Sequence, residues 1–388
     1  MGFVDRMRQS IHPFTPPDRN DVMEFRRQTL GNHPRQCSEG YFDWAFGVNP
    51  NRGDGPAELW ICRRGGRIVG QQAGLPCLLK VGGIMQRASW AVDLLVAPEW
   101  RLRGVGPCLM DAQAGHSPIA LALGVGDLAY PSYLRQGWVD VGPVPTYIWP
   151  LRPSQLVAFA PARYARLAAA ARIADPAAGA ACALLSRLAA LAPGTFVPVG
   201  AFDRRVDRVW DAVAPHIPLI AQRNAGTLRW RFDDIPDRNA HHRFYLMEDG
   251  EVVGYAVLRF DRWRGRTFAL VIDYLAPTAR LPVLFGHCLR VAQRMGAAAL
   301  VCKTLNQGAD LRLRSLGFIR TERKPFWPTR FMVHLPDDRA GPSETMRETM
   351  RDPRRWFITM ADSDIGFDHL DWRDPPEPSR LTLCPHPT

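Results

Sequence analysis

Ala91–Gly106 reads AVDLLVAPEWRLRGVG, and its two parts call for different backbones. Ala91 to Val96 is almost wholly apolar, the pattern of a strand covered on both faces. Pro98 ends it, and Arg101-Leu-Arg-Gly-Val-Gly106 turns into a helix that begins near Gly104 and runs to about Ala114. A strand, a glycine-rich turn and a helix N-terminus together form a cradle for an anion. Without Cβ atoms, Gly104 and Gly106 let consecutive amide N–H groups approach a pyrophosphate closely. The helix end adds partial positive charge, and Arg101 and Arg103 can add charge-assisted hydrogen bonds. A Walker A loop is excluded, because no Gly-Lys-Ser/Thr follows. A dinucleotide fingerprint fails at Leu109, where the third glycine of GxGxxG belongs.

Moving outward, Asp18–Leu30 and Glu39–Phe46 read as helices with Asp18 and Ser38 as N-caps. Leu59–Arg63 and Arg67–Leu79 read as strands joined at Gly65-Gly66. Ala88–Val96 and Ile119–Val125 are apolar strands, with a short helix near Asp127–Arg135 and a final strand over Val139–Trp149. This order implies an α/β fold with a mixed sheet.

The pattern then recurs. Trp44, Phe46 and Pro50 match Trp230, Phe232 and Pro236 at an offset of 186, and Gly66-Arg-Ile-Val-Gly70 matches Gly250-Glu-Val-Val-Gly254 at 184. Asp93 matches Asp273, and Gly137-Trp138 matches Gly317-Phe318, both at 180. Four matches in one order with a shrinking offset indicate a tandem duplication. The expected domains are 1–150 and 199–335, joined by an Ala-rich connector over 151–198 and followed by a tail over 336–388. The connector should hold short helices broken at Pro161, Pro176 and Pro193, with Leu184, Leu185, Leu188 and Leu191 packed on a domain. A membrane-surface helix is the alternative there, weakened by the lack of a Trp or Phe stripe. In the tail, WFITMADSD (Trp356–Asp364) could dock as a strap across the domains, the alternative being a partly disordered tail.

The chain has 388 residues, 46% of them apolar and 22% charged, which suits a two-domain globular protein. No run is expected to reach the length of a membrane span, and Met1–Arg8 has no apolar core behind it, unlike a secretory signal. Eight cysteines without a CxxC pair fit free thiols in a reducing cytoplasm, not a zinc site or disulfide framework. A net charge of +11 suggests a polyanion, yet all but three of the 49 basic residues are arginine and no basic block appears. Nucleic-acid binding is therefore disfavoured. No metal constellation is evident, and the sequence assigns no oligomeric state.

Arg101-x-x-Gly104-x-Gly106 after Val96-Ala-Pro98 resembles the acyl-CoA pyrophosphate loop of the GCN5-related N-acetyltransferase (GNAT) superfamily. Tyr133-Leu-Arg-Gln-Gly137-Trp138 is similar to that family's downstream signature. The resemblance covers Leu59–Trp149 and implies two tandem GNAT-like domains, the first binding acetyl-CoA or another acyl-CoA as co-substrate without a metal. It also implies an N-acyltransferase acting on a small-molecule amine. Leu95 and Val96 would present backbone to the pantetheine, and Arg101, Leu102, Arg103, Gly104, Val105 and Gly106 would hold the pyrophosphate. Tyr133 would be the general acid, with Tyr130 as its substitute. Asp93 is the candidate base or water-orienting carboxylate, although its match to Asp273 equally suits a shared structural hydrogen bond. Asp127 would cap a helix. Two departures are Pro107, which removes an early helical N–H, and Gly126, where the family often has Asn.

The second copy has no glycine between Pro277 and Gly286, and Leu313 stands in place of Tyr133. With Leu281 and Val283 expected to block a pyrophosphate, this half reads as a degenerate copy that shapes the cleft. The tail motif and TLRWRF also resemble two-domain GNAT-like proteins of cell-surface polysaccharide pathways, which makes an amino sugar one possible acceptor. Two other readings stay open: a non-catalytic acyl-CoA-binding scaffold, and a Fem-type aminoacyl-tRNA-dependent transferase, which has no need of RxxGxG.

Overall fold

Each half is built around one long β-hairpin whose second strand bulges. The computed structural model describes residues 7–31, 33–157, 167–321, 329–335 and 343–369; Pro161, Cys384 and the start of the N-terminal segment lie outside them. In the first half, β1 (Ile11–Pro13) precedes α1 (Arg19–Leu30) and α2 (Glu39–Phe42), and a wide helical turn over Asp43–Gly47 continues α2. Then come β2 (Leu59–Arg64), β3 (Arg67–Val81), β4 (Ile84–Val96), α3 (Val105–Ala114), β5 (Ala120–Leu123), α4 (Tyr130–Arg135), β6 (Val139–Val144) and β7 (Thr146–Pro150). Ser38 caps α2 as expected. Asp18 instead closes a capping box with Thr15, whose N–H and hydroxyl both donate to its carboxylate.

After α5 (Pro153–Val157) and α6 (Leu167–Leu191) the second half repeats the order. It comprises β8 (Thr195–Val199), α7 (Arg205–Val213), β9 (Leu219–Ala221), α8 (Ala225–Phe232), β10 (His241–Glu248), β11 (Glu251–Trp263) and β12 (Arg266–Leu275). It continues with α9 (Leu281–Arg294), β13 (Ala299–Leu305), α10 (Gln307–Ser315), β14 (Ile319–Thr321) and β15 (Thr329–His334). A tail of α11 (Glu344–Arg351) and β16 (Trp356–Thr359) follows.

The matched glycines have a common physical role, close packing at the end of the bulged strand. A Cβ on Gly70 would lie 2.7 Å from Val105 and 2.9 Å from Leu109, so its absence lets α3 lie directly on β3. A Cβ on Gly254 would lie 2.8 Å from that of Ala276. The bulges match too. Register slips opposite Gln71–Ala73, where Asp93 takes φ +52°, and again opposite Val257/Leu258.

The expected single strand over Val139–Trp149 is two strands, parted at Pro145, and the second leaves its own half. β7 pairs with β13 and β14, while β15 pairs with β5 and β6. Each half therefore takes its last strand from the other. The boundary at residue 150 divides the sequence but not the sheets: Tyr147 and Trp149 are buried in the second core, Phe331 and Val333 in the first. With β9 and β16 bridging the halves, one continuous sheet results.

The connector also differs from expectation. Pro176 lies inside α6 without ending it. Pro176 and Arg172 are both exposed, so the helical hydrogen bond that the proline removes lies on the solvent side of the helix, away from the core. Ala169–Leu191 is thereby long and apolar enough, by length and composition, to cross a membrane, contrary to the reading of the sequence. One face of it is packed on α9: Cys182, Ser186 and Ala189 are buried, and Gly286 admits Ala189 closely. Leu184, Leu188 and Leu191 point outward instead of packing on the domain.

Candidate functional site

Parallel pairing of β4 with β5 extends only over Ser89–Ala120 and Trp90–Leu121. Beyond Trp90 the bulge at Asp93 turns β4 away, and a gap opens between the two strands. Ala97 N–H donates to Val69 at 2.9 Å on the β3 side. Because strand amides alternate, Val96 one residue earlier directs its N–H and carbonyl into the gap. The carbonyl accepts from Arg101 Nε at 3.3 Å. Leu95 lies opposite Gln71 in the β3 ladder.

At the mouth of the gap, Leu102 and Gly104 both adopt left-handed φ, +60° and +78°, and α3 starts at Val105. Val105 is fully buried and anchors the turn, whereas Arg101, Leu102 and Arg103 are exposed. Arg103 stacks on Trp100, its guanidinium carbon 5.7 Å from the ring centre. Among the described residues, the backbone N–H groups of Leu102 to Gly106 meet no acceptor at hydrogen-bond distance and angle. A Cβ at Gly104 would meet nothing within 4 Å, and one at Gly106 only Val96 at 3.8 Å. The turn thus presents consecutive donors and two arginines to open space, a geometry suited to an anion. Pro107 lies in the first turn of α3, where no helical donor is lost, and its carbonyl accepts from Gln136 Nε2 at 2.5 Å.

Tyr133 on α4 packs edge-on against Trp138, ring centres 4.8 Å apart, among Met110, Ala122 and Met332, with Ala91 and Leu94 of β4 alongside. Burial raises its phenol pKa well above the ordinary value, and the Asp364 carboxylate adds to the shift. The proton stays on the oxygen at any physiological pH. Tyr130 is committed elsewhere: its hydroxyl donates to Asp140 at 2.7 Å, and Arg330 covers its ring. Asp127, expected as a cap, pairs with Arg330 at 2.6 Å.

Asp93 lies beneath the gap with a side chain only 2% exposed. Its oxygens meet Arg26 at 3.2 Å, Arg35 at 3.5 Å and Gln36 Nε2 at 2.5 Å. Burial alone would raise its pKa, but Arg35 and Arg26 outweigh it and hold the carboxylate ionised below its ordinary value. Its counterpart Asp273 is bound in the same manner by Arg223 at 3.2 Å, Tyr255 at 2.8 Å and Thr359 at 2.7 Å. Both halves thus bury a strand aspartate against an arginine.

A second carboxylate, from the tail, joins the Asp93 cluster. Arg35 Nη2 holds Asp364 at 3.2 Å, and Ser363 Oγ donates to its other oxygen at 3.0 Å. Burial raises the pKa of Asp364, Arg35 opposes, and Asp93 and Asp368 raise it further. Gly124, at the end of β5, lies under Ile365. The strap itself is fastened by Arg231 to the Ser363 carbonyl, by Arg259 to the Gly366 and Asp368 carbonyls, and by His369 to Asp237 and Asp261. A strap is one of two readings of WFITMADSD, and nothing local marks which of its acids would reach the first half.

The equivalent gap of the second half is filled. β12 and β13 pair from Phe268/Ala299 to Val271/Cys302, and where they part β16 inserts, Thr359 opposite Thr304 and Ile358 opposite Leu305. Phe357 packs on Tyr274 at 5.3 Å. Leu281, expected to block the turn, is buried in the core as Val105 is; β16 is what occupies this gap. Asn306, matching Gly126, caps α10 by accepting from Gly308 N–H at 3.0 Å. Among the described residues no cluster of three or more metal-ligating side chains occurs.

No protein-family model matches the chain, and no curated protein matches it. Solved structures do. A GCN5-related N-acetyltransferase from Anabaena variabilis is 12% identical with a TM-score of 0.56, over 84% of this chain and 72% of that one. A protein of unknown function from Enterococcus faecalis, described as a probable N-acyltransferase, is 10% identical with a TM-score of 0.56 over the same shares. Saccharomyces cerevisiae N-myristoyltransferase with bound myristoyl-CoA is 14% identical with a TM-score of 0.52, over 86% of this chain and 80% of that one.

Proposed function

Since the chain carries the fold of the GCN5-related N-acetyltransferases, we propose that it is an acyl-CoA-dependent N-acyltransferase whose active half is the first. The acceptor is the amine of a small molecule, and acetyl-CoA is the simplest donor. The observation that carries this reading is the contrast between the halves. The gap of the first lies behind a glycine turn with unpaired amides, while that of the second is occupied by β16.

In this mechanism the pyrophosphate lies on the Leu102–Gly106 amides with Arg101 and Arg103 over it, and the pantetheine extends along β4. The amine nitrogen attacks the thioester carbon, and its proton passes to Asp364. A carboxylate of raised pKa is a better base than an ordinary one. The oxyanion accepts from Val96 N–H, a donor of a kind worth about 3–4 kcal/mol. As the C–S bond breaks, Tyr133 donates its proton to the departing thiolate, leaving amide and free CoA thiol. A phenol with raised pKa gives up its proton only to a developing thiolate close by, so alignment within the gap sets its efficiency. Asp93 acts as a positioning residue: it neutralises Arg26 and fixes Arg35, which in turn holds Asp364.

The test is release of free CoA thiol from acetyl-CoA in the presence of amino sugars, amino acids and polyamines. Amine-dependent release supports the reading. Absence of release across short- and long-chain acyl-CoA with every amine class rejects it.

A further inference from the structure

The outward face of α6 serves neither core. Ile173, Leu184, Leu188 and Leu191 are 81%, 58%, 54% and 83% exposed. With Ala170, Ala177 and Ala181, also exposed, they recur at intervals of three and four and so form one stripe. The stripe runs for roughly 32 Å at 1.5 Å per residue. Lone exposed leucines are ordinary, but a continuous apolar stripe of this length marks an interaction site.

Its side chains are graded. Small residues dominate the N-terminal half and leucines the C-terminal half. We propose that α6 is the contact face of an antiparallel homodimer, with Ala181 of the two copies meeting at the twofold axis. In that arrangement Ala177 faces Leu184 of the second copy, Ala170 faces Leu191, and Ile173 faces Leu188. Ala177–Leu184 and Ala170–Leu191 set small against large on both sides of the axis, Ile173 meets Leu188 between them, and the paired alanines at the centre permit close helix approach. A parallel pair would set leucine against leucine at one end and leave a void at the other. The outward charges, Arg172 and Arg187, are both exposed, and the helical period puts both on one flank of the stripe, off its centre. A lipid surface fits less well, since three of the seven stripe positions are alanine and none is aromatic.

A single helix pair of this length covers on the order of 500 Å² per copy, against about 800 Å² in a standard interface. The dimer is accordingly weak, with dissociation in the micromolar range. Light scattering of the full chain from about 1 to 100 μM should show the mass rising from monomer to dimer. Leu184→Asp with Leu188→Asp, both at exposed positions, should stay monomeric with an unchanged far-ultraviolet spectrum. Under mild oxidation Ala181→Cys should yield a disulfide-linked dimer beyond the wild-type background, and Ile173→Cys should not. Four results overturn the proposal: a monomer at the highest concentration, dimers that survive the double substitution, equal crosslinking of Ile173→Cys, or a monomeric wild type that sediments with phosphatidylglycerol vesicles.

Discussion

Trp44 and Trp230 stack with ring centres 4.9 Å apart and planes at 15°, and each indole N–H donates to the other's backbone carbonyl, at 2.7 and 3.0 Å. They are matching positions of the sequence repeat. Such reciprocity arises when two copies of one motif meet about a local twofold axis, here within a single chain. The pair also meets the strap, since Phe367 lies edge-on to Trp44 at 4.8 Å. Repeat, junction and tail converge at this point.

Removing one ring tests the junction. Trp44→Ala should cost about 3–5 kcal/mol of stability, the usual loss for a large buried aromatic. Trp44→Phe keeps most of the stack but leaves the Trp230 carbonyl without its donor, and should cost about 1–3 kcal/mol. Denaturant unfolding measures both. Equal costs would mean that the ring stack contributes nothing beyond the hydrogen bond.

Tyr133→Phe should lower turnover by about 10²-fold or more, with CoA affinity near wild type, in keeping with general-acid contributions. Steady-state kinetics beside calorimetry separates the two. Unchanged turnover would return Tyr133 to a packing role against Trp138.

Asp364→Asn should lower kcat and remove the acidic limb of the pH–rate profile. A base must be deprotonated to act, so wild-type activity rises as pH climbs through a pKa above the ordinary carboxylate value. A variant that loses activity yet keeps the same acidic limb would assign Asp364 to holding Arg35 only.

The strap should be sensitive to alkali. Hydrogen bonds from the His369 ring to the Asp237 and Asp261 carboxylates raise its pKa from 6.5 to about 9, against the opposing effect of burial. A raised pKa stabilises the folded state fully below 6.5, and the contribution fades as pH rises through about 9. Wild-type Tm should therefore fall between pH 7 and pH 9.5 by more than that of His369→Gln. Parallel Tm curves would show that His369 does not latch the tail.

Much of the local architecture was legible in the residues. Glycines at 65, 66, 70 and 104, the Ser38 cap and the apolar runs of β4 and β5 have structural meanings that one sequence discloses. Two of the tryptophans on which the expected repeat rests prove to touch. What escaped were pairings between distant segments. β7 reads as an apolar strand in whichever sheet it enters, so its exchange with β15 leaves no local mark. The insertion of β16 between β12 and β13, and the arrival of Asp364 at Arg35, depend on a tail more than 200 residues from its contacts in the first half. Helical period located the α6 stripe but not which way it faced, because the alanines and Cys182 on the opposite side could pack closely on α9 and the leucines could not.

The central claim is that the first half binds acyl-CoA through the Gly104 turn. Calorimetric titration of acetyl-CoA into wild type and Gly104→Trp tests it directly, since the substituted side chain enters open space at the N-terminus of α3 and, although φ +78° strains the turn itself, does not disturb a core. Saturable one-site binding to wild type, with none detectable for a folded Gly104→Trp, is the expected result. Equal binding by both would contradict the account.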